Sequence, residues 1–121
     1  MMDYYECTCV SLWRDKSKMQ TIVVVLDSKK MSNPDLDICY RLPEQIEEFT
    51  DGSIKDNGNE YLSSTELGIW LETDDAETNV ERLIDFIRTN KVLDNDLSGV
   101  AEIFISEDDC ADLDNCRKIF P

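Results

Sequence analysis

The chain has 121 residues, 41% hydrophobic and 32% charged, with 27 acidic side chains against 12 basic ones and no histidine. That length supports one domain with its own core, read as a single acidic unit over residues 1–121, and the apolar content is too high for a disordered chain. A net charge of −15 repels phosphate and so argues against direct nucleic-acid binding, while the lack of imidazole excludes Ser-His-Asp and Cys-His catalysis and every zinc site that needs His.

Residues 4–13, YYECTCVSLW, are rich in strand formers, and Arg14–Lys18 reads as a turn. Thr21–Leu26, TIVVVL, is a continuous β-branched run, which predicts a central strand buried on both faces. A loop through Asn33-Pro34 follows, and Asp37–Leu42 is read as a third strand. Pro43 suits the first turn of a short helix, PEQIEEF. Thr50–Thr65, with two glycines, is read as a long loop that has room for a hairpin at Asn57-Gly58.

Leu67–Glu72 is expected to be a strand, and Asp74 to cap the main helix in a capping box with Glu77. Val80, Leu83, Ile84 and Ile87 follow the spacing of one buried helical face, and Asn90 is expected to end the helix in the left-handed conformation. Asp94–Gly99 is a turn, Val100–Ser106 a strand, and Cys110, Leu113 and Cys116 lie on one face of a short terminal helical turn. The expected class is therefore α+β: one mixed or antiparallel sheet of about five strands with one main covering helix.

No apolar run is long enough to span a membrane, and the acidic N-terminus shows no export signal. Five cysteines, an odd number, fit a reducing cytoplasm, so a cytoplasmic location is expected. A four-thiolate zinc site from Cys7, Cys9, Cys110 and Cys116 departs from the usual paired spacing. Asp94, Asp96, Ser98 and Gly99 match the start of an EF-hand loop, but its twelfth position is Ile105, where a bidentate Glu is needed. No pair of carboxylates stands out for acid–base work. The reading expects no catalysis, no metal and no cofactor.

The charge is distributed unevenly. Residues 1–42 carry six basic and six acidic side chains, so the remainder holds the entire excess. Asp74, Glu77, Glu81 and Asp85 form a stripe along the main helix, with Asp75 beside it and Arg82 and Arg88 placed to relieve Asp85. The segment SEDDCADLDNC adds Glu107, Asp108, Asp109, Asp112 and Asp114, and Glu44, Glu47 and Glu48 add a third group. The stripe and the C-terminal segment are expected to form one partner-binding face that attracts a basic protein. A DNA mimic directed at a restriction or guide-RNA nuclease, and an acidic adaptor subunit, are the alternatives.

GIWLETDDAETNVERLIDFIRTN (68–90) followed by VAEIFIS (100–106), in a small histidine-free acidic domain, resembles bacterial immunity proteins of contact-dependent inhibition and related polymorphic toxin systems. The likeness is one of general character, without a shared motif. It implies tight binding to one cognate toxin domain, often an RNase or DNase, without cofactor or catalysis. Separately, charge and hydropathy lead to the expectation of no direct contact with nucleic acid or membrane, and the protein is expected to be a monomer or weak dimer.

Overall fold

The computed structural model describes residues 19–109 and 111–121. The YYECTCVSLW strand, the turn after it, and Cys7, Cys9 and Cys110 lie outside the described residues. Five strands form one open antiparallel sheet: β1 (Gln20–Asp27), β2 (Ile54–Tyr61), β3 (Glu66–Thr73), β4 (Ala101–Ser106) and β5 (Arg117–Phe120), in the order β2-β3-β1-β4-β5. Two helices, α1 (Ile38–Phe49) and α2 (Ala76–Thr89), complete it, so the class is α+β. No helix among the described residues is long and apolar enough to cross a membrane.

The β-branched run of β1 takes the centre of the sheet, as its sequence predicts, and all six residues Thr21–Leu26 are buried. Its even-numbered residues face the helices. Val24 pairs with Ile69 of β3 and Ile103 of β4, and all three are inaccessible to solvent. Ile38, Leu42 and Ile46 of α1 and Val80, Leu83, Phe86 and Ile87 of α2 pack onto this layer in a single core.

The opposite face is crossed by the segment that follows β4. Thr21 Oγ1 donates to the carbonyl of Asp108 at 2.7 Å and accepts from the N–H of Ala111, while Trp70 Nε1 donates to the carbonyl of Ala111 at 2.9 Å. A Cβ on Gly68 would stand 2.6 Å from the Trp70 ring, so this position requires glycine for the indole to lie flat along β3.

Several expected elements take other forms. Asp37–Leu42 is not a strand: Ile38, Leu42 and Ile46 are buried at i, i+4 and i+8, and that helical stripe carries α1 through Pro43 despite the lost N–H donor. There are thus two covering helices rather than one. Asn57-Gly58 is not a hairpin turn. It is an irregularity in the edge strand β2 between Asp56 and Asn59, with Gly58 at φ 104° and its N–H bonded to Asp56 Oδ1. The α2 cap is Asp75 instead of Asp74, and its carboxylate accepts from the N–H and hydroxyl of Thr78, so no capping box with Glu77 forms.

Phe86 replaces Ile84 in the buried face of α2, and Ile84 is half-buried. Asn90 is extended, at φ −132°; the left-handed residues are Leu93 and Asp94 in the following turn. The chain ends in β5, whose four residues are too few to show a pattern, and the terminal helix is only a 3-10 turn over Leu113–Asn115.

Candidate partner-binding surface

α2 begins where the β3 strand ends, and its acids serve that junction. Asp75 caps the helix, and Asp74 accepts from Asn79 Nδ2 at 3.2 Å. Glu77, in the first turn where the helix dipole favours it, meets Arg117 at 2.6 Å. Glu81 and Asp85 project from the exposed side. The two arginines expected to offset Asp85 turn elsewhere: Arg82 reaches the carbonyl of Phe49 and Ser53 Oγ, and Arg88 lies over the Phe120 ring at 5.5 Å.

The structure brings the two predicted acidic segments together at one point. Asp75, Glu77 and Glu107 line a small cleft with Arg117 and Gln20. Of the five carboxylates in the C-terminal segment only Glu107 lines it. Asp108, Asp112 and Asp114 are exposed and Asp109 half-buried, in a segment held by Thr21 and Trp70 against the sheet face turned away from the helices. Asp112 and Asp108 stand near Cys116 and raise its thiol pKa, after burial as the main cause. Burial also raises that of Cys39. Both cysteines therefore stay as thiols at neutral pH, and Cys116 is expected to react with iodoacetamide more slowly than free cysteine at about pH 7.5. Peptide mapping of the alkylated protein checks this; labelling at the rate of free cysteine contradicts it.

The EF-hand-like loop uses its oxygens for its own turn. Ser98 donates to Asp96 through its hydroxyl at 2.6 Å and its N–H at 3.1 Å, and these bonds hold the Asp96 carboxyl below its ordinary range. Asn95 is buried and faces Asn33.

A second acidic surface is more concentrated. Tyr40, Glu44, Glu47 and Glu48 fall on the side of α1 opposite its buried stripe and, with Asp51 in the turn after the helix and Asp56 of β2, line an open groove along the sheet edge. Five carboxylates meet there, and none of the described lining residues is basic. Arg41 approaches Glu44 at 3.7 Å, but both are more than half exposed, so the pair offsets little.

The groove is held in shape by two buried threonines. Thr50 Oγ1 donates to the carbonyl of Ile46 and accepts from the N–H of Ile54, closing the end of α1. Thr73 Oγ1 donates to the carbonyl of Ser53 at 2.7 Å and accepts from Asn79 Nδ2 at 2.7 Å. Asp51 and Gly52 are both left-handed, and the Gly52 N–H caps the carbonyl of Glu47.

These acids sit where their own helix disfavours them. Glu47 and Glu48 occupy the last turn of α1, which has no basic residue, against the negative end of the dipole. Glu44/Glu47 and Glu44/Glu48 are like-charge pairs at i, i+3 and i, i+4 within α1, each costing about 0.2–0.5 kcal/mol, and Asp51 adds a further negative charge just past the helix end. α2 is built the opposite way, with Glu77 in its first turn and Arg88 in its last. The sequence showed Glu44, Glu47 and Glu48 as a group, but reading Asp37–Leu42 as a strand hid the continuity with Tyr40. Comparison with family models, with curated proteins and with solved structures finds no match for this chain.

Proposed function

We propose that this protein is an immunity-type inhibitor that binds and neutralises a basic toxin domain of the nuclease class through its acidic surface. The observation that carries the reading is the α1 groove, where five carboxylates gather with no basic lining residue among the described residues and two of them oppose their own helix dipole. Selection for folding alone removes such a cost; retention of a partner whose lysines and arginines normally hold substrate phosphate explains it. DNA mimicry fits less well, because it calls for a long row of charge at about one per 1.7 Å, and the exposed Leu36, Tyr40 and Tyr61 interrupt such a row.

The test is capture of the toxin by the tagged protein, identification of the bound chain, and titration of its RNase or DNase activity. Activity is expected to fall in proportion to added protein and to vanish at equimolar ratio. A captured chain that stays fully active when saturated rules the reading out. Glu81 and Asp85 act at long range in this scheme. Replacing Glu77, Glu81 and Asp85 by Ala is expected to slow association about two- to threefold at low salt and to flatten its salt dependence, with the dissociation rate nearly unchanged. Stopped-flow mixing at two ionic strengths reads both rates.

A further inference from the structure

Resting on the inhibitor reading, we propose that the contact face is the edge formed by α1 and β2, and that its occupant is a basic partner segment carrying an apolar anchor beside its lysines or arginines. Four large hydrophobic side chains are exposed among the described residues: Leu36, Tyr40, Phe49 and Tyr61. All four belong to this edge or to the turn that enters α1. Phe49 is engaged edge-to-face with Phe86 at 5.2 Å, which leaves Leu36, Tyr40 and Tyr61 as the exposed candidates for anchoring among the described residues.

Those three are contiguous with the carboxylates. Leu36 and Tyr61 border a small apolar pocket floored by Leu26, Ile38 and Leu67. Tyr40 follows Leu36 by four residues and opens the acidic groove, which continues through Glu44 and Glu48 to Asp51. One strip therefore runs from an apolar pocket, past an exposed tyrosine, into negative charge that Arg41 offsets only at Glu44 among the described residues. The 12 residues of α1 between Leu36 and Asp51 rise roughly 18 Å, which an extended chain of about six residues spans.

Charge complementarity selects the occupant. A second copy of this chain brings −15 to a negative groove and is repelled, and nucleic acid is repelled likewise. A basic segment relieves the like-charge pairs of α1 and the unfavourable dipole contact, while an aromatic or aliphatic side chain packs over the shallow apolar patch at Leu36 and Tyr61. Buried aromatic and apolar anchors set dissociation, and charged rims set association. On this division the α1–β2 edge holds the partner, and the α2 stripe only draws it in.

The probe is a fluorescein-labelled synthetic peptide of about eight residues, a Leu-Phe pair followed by a Lys/Arg run, read by anisotropy at about 0.15 M salt, where the screening length is about 8 Å. Wild-type protein is expected to bind it. The Tyr40→Ala variant, and the triple variant Glu47→Gln, Glu48→Gln, Asp51→Asn, are each expected to weaken binding at least about tenfold. The equal-charge control Glu81→Gln, Asp85→Asn, Glu107→Gln is expected to change it less than about threefold.

The triple edge variant is also expected to melt a few degrees higher than wild type, about 2–5 °C, because it removes repulsion at the end of α1. A gain in melting temperature together with a loss of affinity is an outcome that damage to the fold does not give. The proposal is overturned if wild type fails to bind the peptide, if the α2 control loses as much affinity as the edge triple, or if Ala-Ala in place of Leu-Phe binds equally well. It is also overturned if sedimentation shows a wild-type dimer that Leu36→Ser dissolves, since a second copy is then the occupant. A toxin inhibited equally by wild-type and edge variants removes the edge assignment and leaves the inhibitor reading. Edge-specific peptide binding without inhibition of any captured nuclease does the reverse.

Discussion

Replacing Asn95 by Asp lowers stability by about 3–5 kcal/mol at neutral pH, a large loss for a nearly isosteric change. Asn95 is fully buried. Its Oδ1 accepts from the Asn33 N–H at 2.7 Å, and its Nδ2 donates to the carbonyls of Asn33 at 2.8 Å and Leu93 at 3.2 Å. A carboxylate keeps the shape and the first bond. It then loses both donors and sets a negative oxygen against two carbonyls, with the Asn33 N–H left to offset the charge and Asn33 Nδ2 still donating to Leu93 but not to its own carbonyl.

Asn95→Ala, which buries no charge, is expected to cost less, about 2–3 kcal/mol. The two variants are further separated by pH. The charged form of the introduced carboxyl is disfavoured in the fold, so its folded pKa lies above its unfolded value. The penalty is then complete above the folded pKa, shrinks as pH falls through it, and is smallest near pH 4, where the protonated group donates again. The Ala variant shows no such recovery relative to wild type. Urea melts of all three proteins at pH 7 and pH 4 measure this. A loss below about 1 kcal/mol for Asn95→Asp at pH 7 shows that the Asn33–Asn95 contact does not anchor the loop entering α1.

Ile69→Ala is the second large effect, at about 3–4 kcal/mol, or a melting temperature lower by roughly 12–16 °C for a domain of this size. Ile69 belongs to the inaccessible triplet with Val24 and Ile103, pressed between three strands and the helices. Neighbouring strands cannot collapse into the space left by the deletion without breaking their ladders, so the cavity remains. Ile84→Ala is the comparison. It lies on the helix that covers the same core but is half-buried, and its loss is expected to stay near 1 kcal/mol. Thermal and urea melts of the pair test this ranking. Equal losses place Ile84 inside the core and contradict the packing described here.

That comparison marks how much of the molecule its sequence reveals. The run TIVVVL identifies the central strand because six consecutive apolar or β-branched residues need cover on both faces. Val80, Leu83 and Ile87 identify α2 because 3.6-residue periodicity leaves few alternatives, although Phe86 and Ile84 lie close enough on the wheel to exchange roles. α1 was legible only in its second half. Pro43 reads as a helix start in isolation, and only burial of Ile38 and Leu42 against the sheet sustains the turns before it.

β2 and β5 were not legible as strands at all. IKDNGNEY and RKIF carry no alternation of their own, and become strands because β3 and β4 offer unpaired backbone groups beside them. The acidic residues follow the same division. Charge excess, the lack of histidine and the acidic second part of the chain are properties of composition, and the sequence alone determined them. Which carboxylates are engaged and which remain costly depends on what folding places nearby. Arg117 comes to Glu77 from the last strand, Arg82 and Arg88 turn away from Asp85, and α1 with the turn after it presents Tyr40, Glu44, Glu47, Glu48 and Asp51 on one side. Electrostatic energy falls with distance in space rather than in sequence, so only the tertiary structure decided where the charge is concentrated.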